Sequence, residues 1–189
     1  HVQFAEQLSI LTGSLIDEGY RRPLLLVDNL GGCSKASRTI AVSTHNSSPV
    51  AGLCGASFVG GSYGLPNIVY TDVGGTSFDI GVIAEGKIRY YDLYPTVDRW
   101  RTQVTTIKTS SIGAGGGSIA WLNPLLANRL EVGPRSAGSI PGPACYDLGG
   151  EEATVTDADV VLGYINPDYY LGGKMPLNRE KALEAVKRL

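Results

Sequence analysis

The sequence predicts an α/β fold in which a mixed sheet is flanked by helices. Three observations carry that reading. Leu24-Leu25-Leu26-Val27 is a short continuous apolar run of the kind covered on both faces of a sheet. Residues 67–91 read strand, turn, strand, turn, strand. Helical periodicity or helix caps mark residues 1–20, 46–61, 156–162 and 179–189.

In chain order, Phe4, Leu8, Leu11 and Leu15 share one helical face, and Gly19 ends that helix. The strand at 24–27 runs into a turn at Asp28-Asn29-Leu30-Gly31-Gly32. Asn46-Ser47-Ser48-Pro49 supplies a cap followed by proline at a first helical position, and the residues after it, through Gly61, are small. A helix so rich in Gly and Ala is expected to pack very close to a strand. Residues 67–72 and 78–83 are strands joined by a Gly-Gly turn, and Ala84-Glu85-Gly86-Lys87 turns into a third strand at 88–91. A further strand is expected at 104–107, and 121–126 fits either state. Residues 129–150 are rich in Pro and Gly and read as a long ordered loop. Thr156 to Leu162 reads as a short capped helix, and Asn178 caps the last one. The whole of 1–189 is expected to be one part of a larger domain, with 130–189 a Pro/Gly-rich extension packed on it. A helical pattern already under way at His1, without Met, and another at Leu189 point to an excised segment of a longer chain.

Sixteen basic residues against 18 acidic ones offer no electrostatic footprint for nucleic acid or an anionic membrane, and neither partner is expected. No apolar stretch reaches the roughly 20 residues a bilayer needs, so a cytoplasmic protein is expected. Cys33, Cys54 and Cys145 are odd in number and widely spaced, and they read as free thiols rather than a disulfide or zinc framework. Glycine stands out: 25 of 189 residues, against a usual share of roughly 7%. The clusters at Gly74-Gly75, Gly113 to Gly117 and Gly149-Gly150 suggest backbone brought close to a ligand.

The motif with the richest chemistry is Asp72-Val73-Gly74-Gly75-Thr76-Ser77-Phe78-Asp79. A strand delivers a carboxylate, two glycines turn the chain tightly, and two hydroxyls and a second carboxylate follow. Consecutive N–H groups in such a turn can cradle phosphate oxygens, with Thr76 and Ser77 adding hydroxyls. Asp72 and Asp79 would repel a bare phosphate. Their presence makes sense if a divalent cation, Mg²⁺ or Mn²⁺, lies between carboxylate and phosphate, so both are candidate metal-linked catalytic carboxylates. The alternative is a hairpin whose Gly-Gly merely meets its turn geometry. A second dense run, with Gly113, Gly115, Gly116 and Gly117, shifts the balance towards a nucleotide, because such a run can lie against adenine or ribose where side chains would collide.

The fuller set of motifs resembles a known family. Asp72 to Asp79 is similar to the second phosphate motif of the actin, heat-shock chaperone and sugar-kinase superfamily. With Ile112-Gly-Ala-Gly-Gly-Gly-Ser-Ile-Ala-Trp121, Val132-Gly-Pro-Arg-Ser-Ala-Gly138, Pro141-Gly-Pro-Ala-Cys-Tyr146, Thr154-Val-Thr-Asp-Ala-Asp159 and Leu171-Gly-Gly-Lys174, in that order, the chain from about Leu24 onward resembles the hydantoinase/oxoprolinase family. That family includes 5-oxoprolinase, N-methylhydantoinase and the acetone and acetophenone carboxylases. The resemblance implies an incomplete actin-like ATPase domain that binds ATP with Mg²⁺ or Mn²⁺, contributes to phosphorylating a carbonyl oxygen, and is inactive alone because the family's first phosphate motif is missing from these residues. It implies a small carbonyl substrate and other subunits as partners. His45-Asn46-Ser47-Ser48-Pro49 stands where many relatives have Ser-Gly-Pro, and residues 91–101, with Tyr94, Asp98, Trp100 and Arg101, are unusually aromatic and charged. These departures favour a ketone carboxylase subunit over hydrolysis of a cyclic amide such as 5-oxoproline or a hydantoin. A non-catalytic assembly subunit is the alternative from another class.

Other candidates are set against simpler roles. His45 is a candidate general base or metal ligand, or else a hydrogen-bonded loop residue. Asp157 and Asp159 point to different sides of a helix, and Asp157 suits a helix-capping role at least as well as catalysis. Cys145, with no His to pair with it, reads as a buried thiol. Arg135 is a candidate to hold a phosphate or carboxylate, or else a surface ion-pair partner, and Trp121 reads as core rather than an adenine stacker.

Overall fold

The computed structural model describes residues 2–91, 95–97 and 99–189. The chain divides into two compact units. The first comprises the residues up to Tyr70 together with Ile80–Ser110, and the second comprises Thr71–Asp79 and Ser111–Leu189. Tyr94 and Asp98, part of the aromatic and charged segment noted above, lie outside the described residues.

The first unit opens with helix α1 (Val2–Asp17), in which Phe4, Leu8 and Leu15 are half-buried and no residue is fully buried. Strands β1 (Leu25–Val27) and β2 (Cys33–Lys35) form an antiparallel hairpin. Its turn is held by Asp28, whose Oδ1 accepts from the N–H groups of Leu30 and Gly32, each at 2.9 Å. Asn29 is buried and fully engaged: its Nδ2 donates to Thr106 Oγ1 at 2.9 Å, its N–H to Ser43, and its carbonyl accepts from Ile107. Helix α2 (Ser47–Ser62) starts two residues before the expected proline position. Asn46 precedes it in the left-handed conformation and makes no side-chain cap, so Pro49 is the third helical residue.

Strands β3 (Ile68–Val73), β4 (Phe78–Ala84) and β5 (Lys87–Ile88) form the expected meander, with the third strand shorter than the expected 88–91, and β6 (Thr96–Val97) pairs with β7 (Trp100–Arg101). Strand β8 (Thr109–Ile112) pairs with β4. The strand expected at 104–107 is reduced to a single bridge between Tyr90 and Ile107. Thr106 and Ile107 are both buried there, which breaks the in-and-out alternation of a ladder strand.

The core of this unit joins Val50 and Leu53 of α2 to Ile83 and Ile107, with Ile68 and Tyr70 packed against them. The small residues of α2 do what their size allows. A Cβ on Gly52 would run into the Tyr70 ring and hydroxyl, and one on Gly60 into Ile68. Leu53 is fully buried and packs so closely on Gly81 that a Cβ there would lie 2.8 Å from Leu53 Cδ1.

In the second unit, β9 (Ser118–Asn123) pairs antiparallel with β10 (Arg129–Ser136). Residues 129–136 were expected within a loop and are a strand. Gly133 and Pro134 obscure its alternation in sequence, and the register shifts between Val132 and Ser136, where a residue lacking an N–H is tolerated. Helix α3 (Val155–Leu162) begins at a capping box in which Thr154 and Asp157 satisfy each other's backbone N–H groups. Helix α4 (Arg179–Arg188) is capped by Asn178, as expected. Cys145, Val160, Leu177 and Ala182 form one buried cluster, and Ala144, Ala153 and Ala185 another. No helix among the described residues is long and apolar enough to cross a membrane.

Candidate nucleotide site

Within the second unit, the two glycine-rich stretches are bonded to each other. The turn after β3 closes on itself through the N–H of Gly74, which donates to the carbonyl of Ser77 at 2.9 Å. The downstream run then donates into that turn one residue at a time. Gly115 N–H reaches Thr76 O at 3.2 Å, Gly116 N–H reaches Gly74 O at 2.9 Å, and Gly117 N–H reaches Gly75 O at 2.7 Å. Ser118 Oγ adds a bond to Thr76 O at 3.2 Å. The carbonyls of the turn are thereby occupied, while the N–H groups of Gly75 and Thr76 donate to no acceptor among the described residues. A turn with its acceptors engaged and adjacent donors free has the polarity an anion requires.

The two stretches need glycine for different reasons. At Gly115 a Cβ would lie 2.5 Å from Thr76 C and N and 2.6 Å from Ser77 N, and at Gly117 it would lie 3.1 Å from Gly75 O. These residues are small because one loop lies on the other, so the collision expected with a ligand is, at Gly115, a collision with the Thr76–Ser77 backbone of the other loop. At Gly75 a Cβ would meet nothing within 4 Å. Gly75 instead lines a cavity of ≈ 650 Å³, whose wall also includes Gly74, Thr76, Gly116 and Gly117.

Helix α3 supplies the next side of that cavity. Thr156 N–H and Oγ1 both donate to Gly116 O, each at 2.9 Å, which fixes the helix start to the glycine loops. Asp157, the following residue, turns the other way. It is fully buried and accepts from the N–H groups of Ala144 (3.2 Å), Cys145 (2.7 Å) and Thr154 (2.9 Å) and from Thr154 Oγ1 (2.7 Å). Its role is therefore the cap, and it holds the turn at Ala144–Tyr146 against α3. Asp159 lines the cavity. Partial burial raises its carboxyl pKa above the usual range.

Tyr146 and Tyr170 also line the cavity, their hydroxyls 2.7 Å apart and their ring centroids 5.7 Å apart. Burial, reinforced by the bond between the two hydroxyls, pushes the Tyr146 phenol up, so it stays protonated at neutral pH. Burial, together with the nearby Asp157, also pushes the Cys145 thiol up, which makes it an inert packing group as its sequence context indicated.

The structure brings together only some of the residues singled out from sequence. Gly74, Gly75, Thr76, Gly116 and Gly117 line the cavity, whereas Ser77, Gly113 and Gly115 lie in the loops outside its lining. Asp72 is the penultimate residue of β3 and Asp79 lies in β4, on either side of the turn, and Ser77 Oγ donates to Asp79 Oδ2 at 3.2 Å. Neither carboxylate lines the cavity, and no three His, Cys, Asp or Glu side chains among the described residues cluster as a metal cage. Mg²⁺ needs no such cage, since one or two carboxylates, waters and phosphate oxygens can complete its shell. His45 belongs to the first unit, where it ends a 3-10 turn and its N–H donates to Val42 O. Arg135 makes a two-pronged exposed pair with Glu152, and the half-buried Trp121 donates from Nε1 to Gly133 O at 2.7 Å.

Sequence reading missed Thr156, Asp159, Tyr146 and Tyr170 as cavity residues. For the first two a signal was present: positions 156 and 159, three apart on a helix, share a face. The tyrosines are 24 residues apart in the chain, and nothing local pairs them.

Comparison with known proteins places this arrangement. The hydantoinase/oxoprolinase family model matches residues 2–189. The chain is 53% identical over 170 residues to the acetophenone carboxylase gamma subunit of Aromatoleum aromaticum, covering 90% of this chain and 23% of that protein. Among solved structures, the nucleotide-free acetone carboxylase of a study of ATP-dependent acetone carboxylation superposes with a TM-score of 0.83 at 31% identity, over 97% of this chain and 26% of that one. The ATP-dependent caprolactamase of Pseudomonas jessenii does so with a TM-score of 0.68 at 36% identity, over 98% and 26%. The chain thus spans about a quarter of the length of each.

Proposed function

This chain belongs to the hydantoinase/oxoprolinase family, and from that premise we propose that its glycine turn holds the phosphates of ATP in an enzyme that activates a carbonyl substrate, as a subunit of a ketone carboxylase. The observation that carries the reading is the turn's polarity. Gly115, Gly116 and Gly117 engage its carbonyls and leave the N–H groups of Gly75 and Thr76 as donors beside the cavity. Gly75 supports it further, because the protein's own packing leaves room for a side chain there, while close approach of a phosphate would not.

ATP supplies a phosphoryl group that, once on a carbonyl oxygen, makes a reactive electrophile or a good leaving group. The chain's own residues bind and orient. Gly75 and Thr76 donate their N–H groups to phosphate oxygens, and Thr156, its hydroxyl bonded to Gly116 O, lines the same wall. Asp72 and Asp79, flanking the turn, are the residues that would hold a divalent cation, which would offset the charge that the amides do not. Positioning and charge neutralisation are the main tasks in phosphoryl transfer, and a backbone cradle performs both without reorganising.

The carboxylase reading rests on the 53% identity to an acetophenone carboxylase subunit. The likeness to caprolactamase supports a second reading, ATP-dependent opening of a cyclic amide. Both are tested by measuring ATP hydrolysis by the full-length protein, with its co-purifying subunits, in the presence of acetone or acetophenone plus bicarbonate, and of caprolactam, 5-oxoproline or a hydantoin. Stimulation by a ketone supports the first and stimulation by a lactam the second. ATP binding without stimulation by any of them leaves an assembly role and overturns the enzyme reading.

A further inference from the structure

The carboxylate of Asp159 is out of keeping with a cavity built for phosphate. Among the described residues it is the only aspartate or glutamate in the lining, and neither Lys nor Arg accompanies it. Its side chain makes no hydrogen bond or ion pair with the described residues. An ionised carboxylate only accepts, so its complement is a hydrogen-bond donor or a cation, and the phosphates of a nucleotide offer no donor.

Its position says which part of a nucleotide does. Thr156 is anchored to Gly116 at the phosphate turn. Asp159 is three residues further along α3 on the same face, about 4.5 Å of helical rise away. Ile165 and Tyr170 line the same cavity: Ile165 N–H donates to Asp159 O at 3.3 Å, and Tyr170 is held by its bond to Tyr146. Phosphate donors, a lone acceptor and apolar groups in one cavity are the complements of a nucleotide's phosphates, ribose and base.

We infer that Asp159 accepts hydrogen bonds from the ribose hydroxyls of the bound nucleotide, with Ile165 and Tyr170 forming the wall beside its base. This deepens the proposed function and rests on it. A carboxylate between two hydroxyls makes charge-assisted bonds, and the same pairing of acidic side chain and ribose serves dinucleotide-binding folds. The burial that penalises its charge in the free protein strengthens those bonds once donors are present.

Isothermal titration of the full-length protein with ATP and with 2′,3′-dideoxy-ATP, both with Mg²⁺, tests it. The wild type is expected to bind the dideoxy nucleotide at least about tenfold more weakly, and Asp159→Ala to bind ATP more weakly by a similar factor and to lose the discrimination. Asp159→Asn, which keeps one acceptor, should fall between the two. Equal binding of the two nucleotides by the wild type, or discrimination that persists in Asp159→Ala, would overturn the inference while leaving the phosphate site intact. Failure of the wild type to bind ATP at all would overturn the phosphate site, and this inference with it. The wild-type comparison needs no variant, so a poorly folding substitution does not blunt the test.

Discussion

Two regions of the second unit use the same residue types in opposite ways. In the packed region, Gly115 lies against the backbone of Thr76 and Ser77, and Asp157 is buried with four donors around one carboxylate. In the cavity region, Gly75 faces open space, and Asp159, two residues beyond Asp157, makes no hydrogen bond with the described residues. Saturation separates framework from site. A glycine or aspartate whose surroundings already account for it shapes the fold, and one whose surroundings do not is available to a ligand.

The comparison breaks first at Asp157. Asp157→Ala removes the acceptor for three N–H groups and one hydroxyl in a buried place, and is expected to cost about 3–5 kcal/mol, as other losses of buried charged partners do. Urea denaturation of the full-length protein checks it. A loss under 1 kcal/mol would show that the network is not what holds the Ala144–Tyr146 turn to α3. Gly115→Ala comes next. Its methyl would lie within 2.6 Å of three backbone atoms of the phosphate turn, and overpacking of this kind costs roughly 1–3 kcal/mol. Because the clash is with the cradle itself, ATP affinity should fall along with stability, and unchanged ATP affinity would separate the two loops.

How far the sequence revealed this division depends on whether a signal was local. The helix cap at Asn178, the Asp28 turn and the meander of β3, β4 and β5 each rest on neighbouring residues, and the structure has them where expected. Helix α3 starts at Val155, one residue before its expected start, with Thr154 as its cap. Strand β10 was hidden by Gly133-Pro134, and α2 begins earlier than its proline suggested because Asn46 takes the left-handed conformation without capping. The glycine-rich character of both loops was legible, but which glycines face a cavity and which face each other was not. That depends on bonds spanning about 40 residues, such as Gly117 to Gly75. The tyrosine wall was invisible for the same reason.

Gly75→Ala sharpens the comparison from the other side. The φ of Gly75 is not in the left-handed region and its Cβ meets nothing, so stability should change by less than about 0.5 kcal/mol. ATP affinity, by contrast, should drop about tenfold or more, since a methyl would stand where phosphate oxygens approach the amides. Calorimetric titration beside a thermal melt separates the two effects, and a variant that melts early yet binds normally would invert the assignment of the two regions.

The smallest effect lies at the exposed edge of the packed region, where Asp147 is paired with Lys181 and accepts from Asn178 Nδ2 at 3.1 Å. Lys181, and after it Asn178, hold the Asp147 carboxyl below the usual aspartate range. A depressed pKa means that the folded state favours the ionised form. The pair's contribution is therefore present above the unfolded-state value of roughly 3.9 and is lost as the pH falls through the lower folded value. Asp147→Asn should flatten the stability profile in that acidic window and leave it unchanged at neutral pH beyond a small offset. Because both partners are about half exposed, salt should erase most of the difference. If the difference instead persisted in high salt, the pair would act as part of the buried network, and the boundary of the saturated region would move outward to include α4.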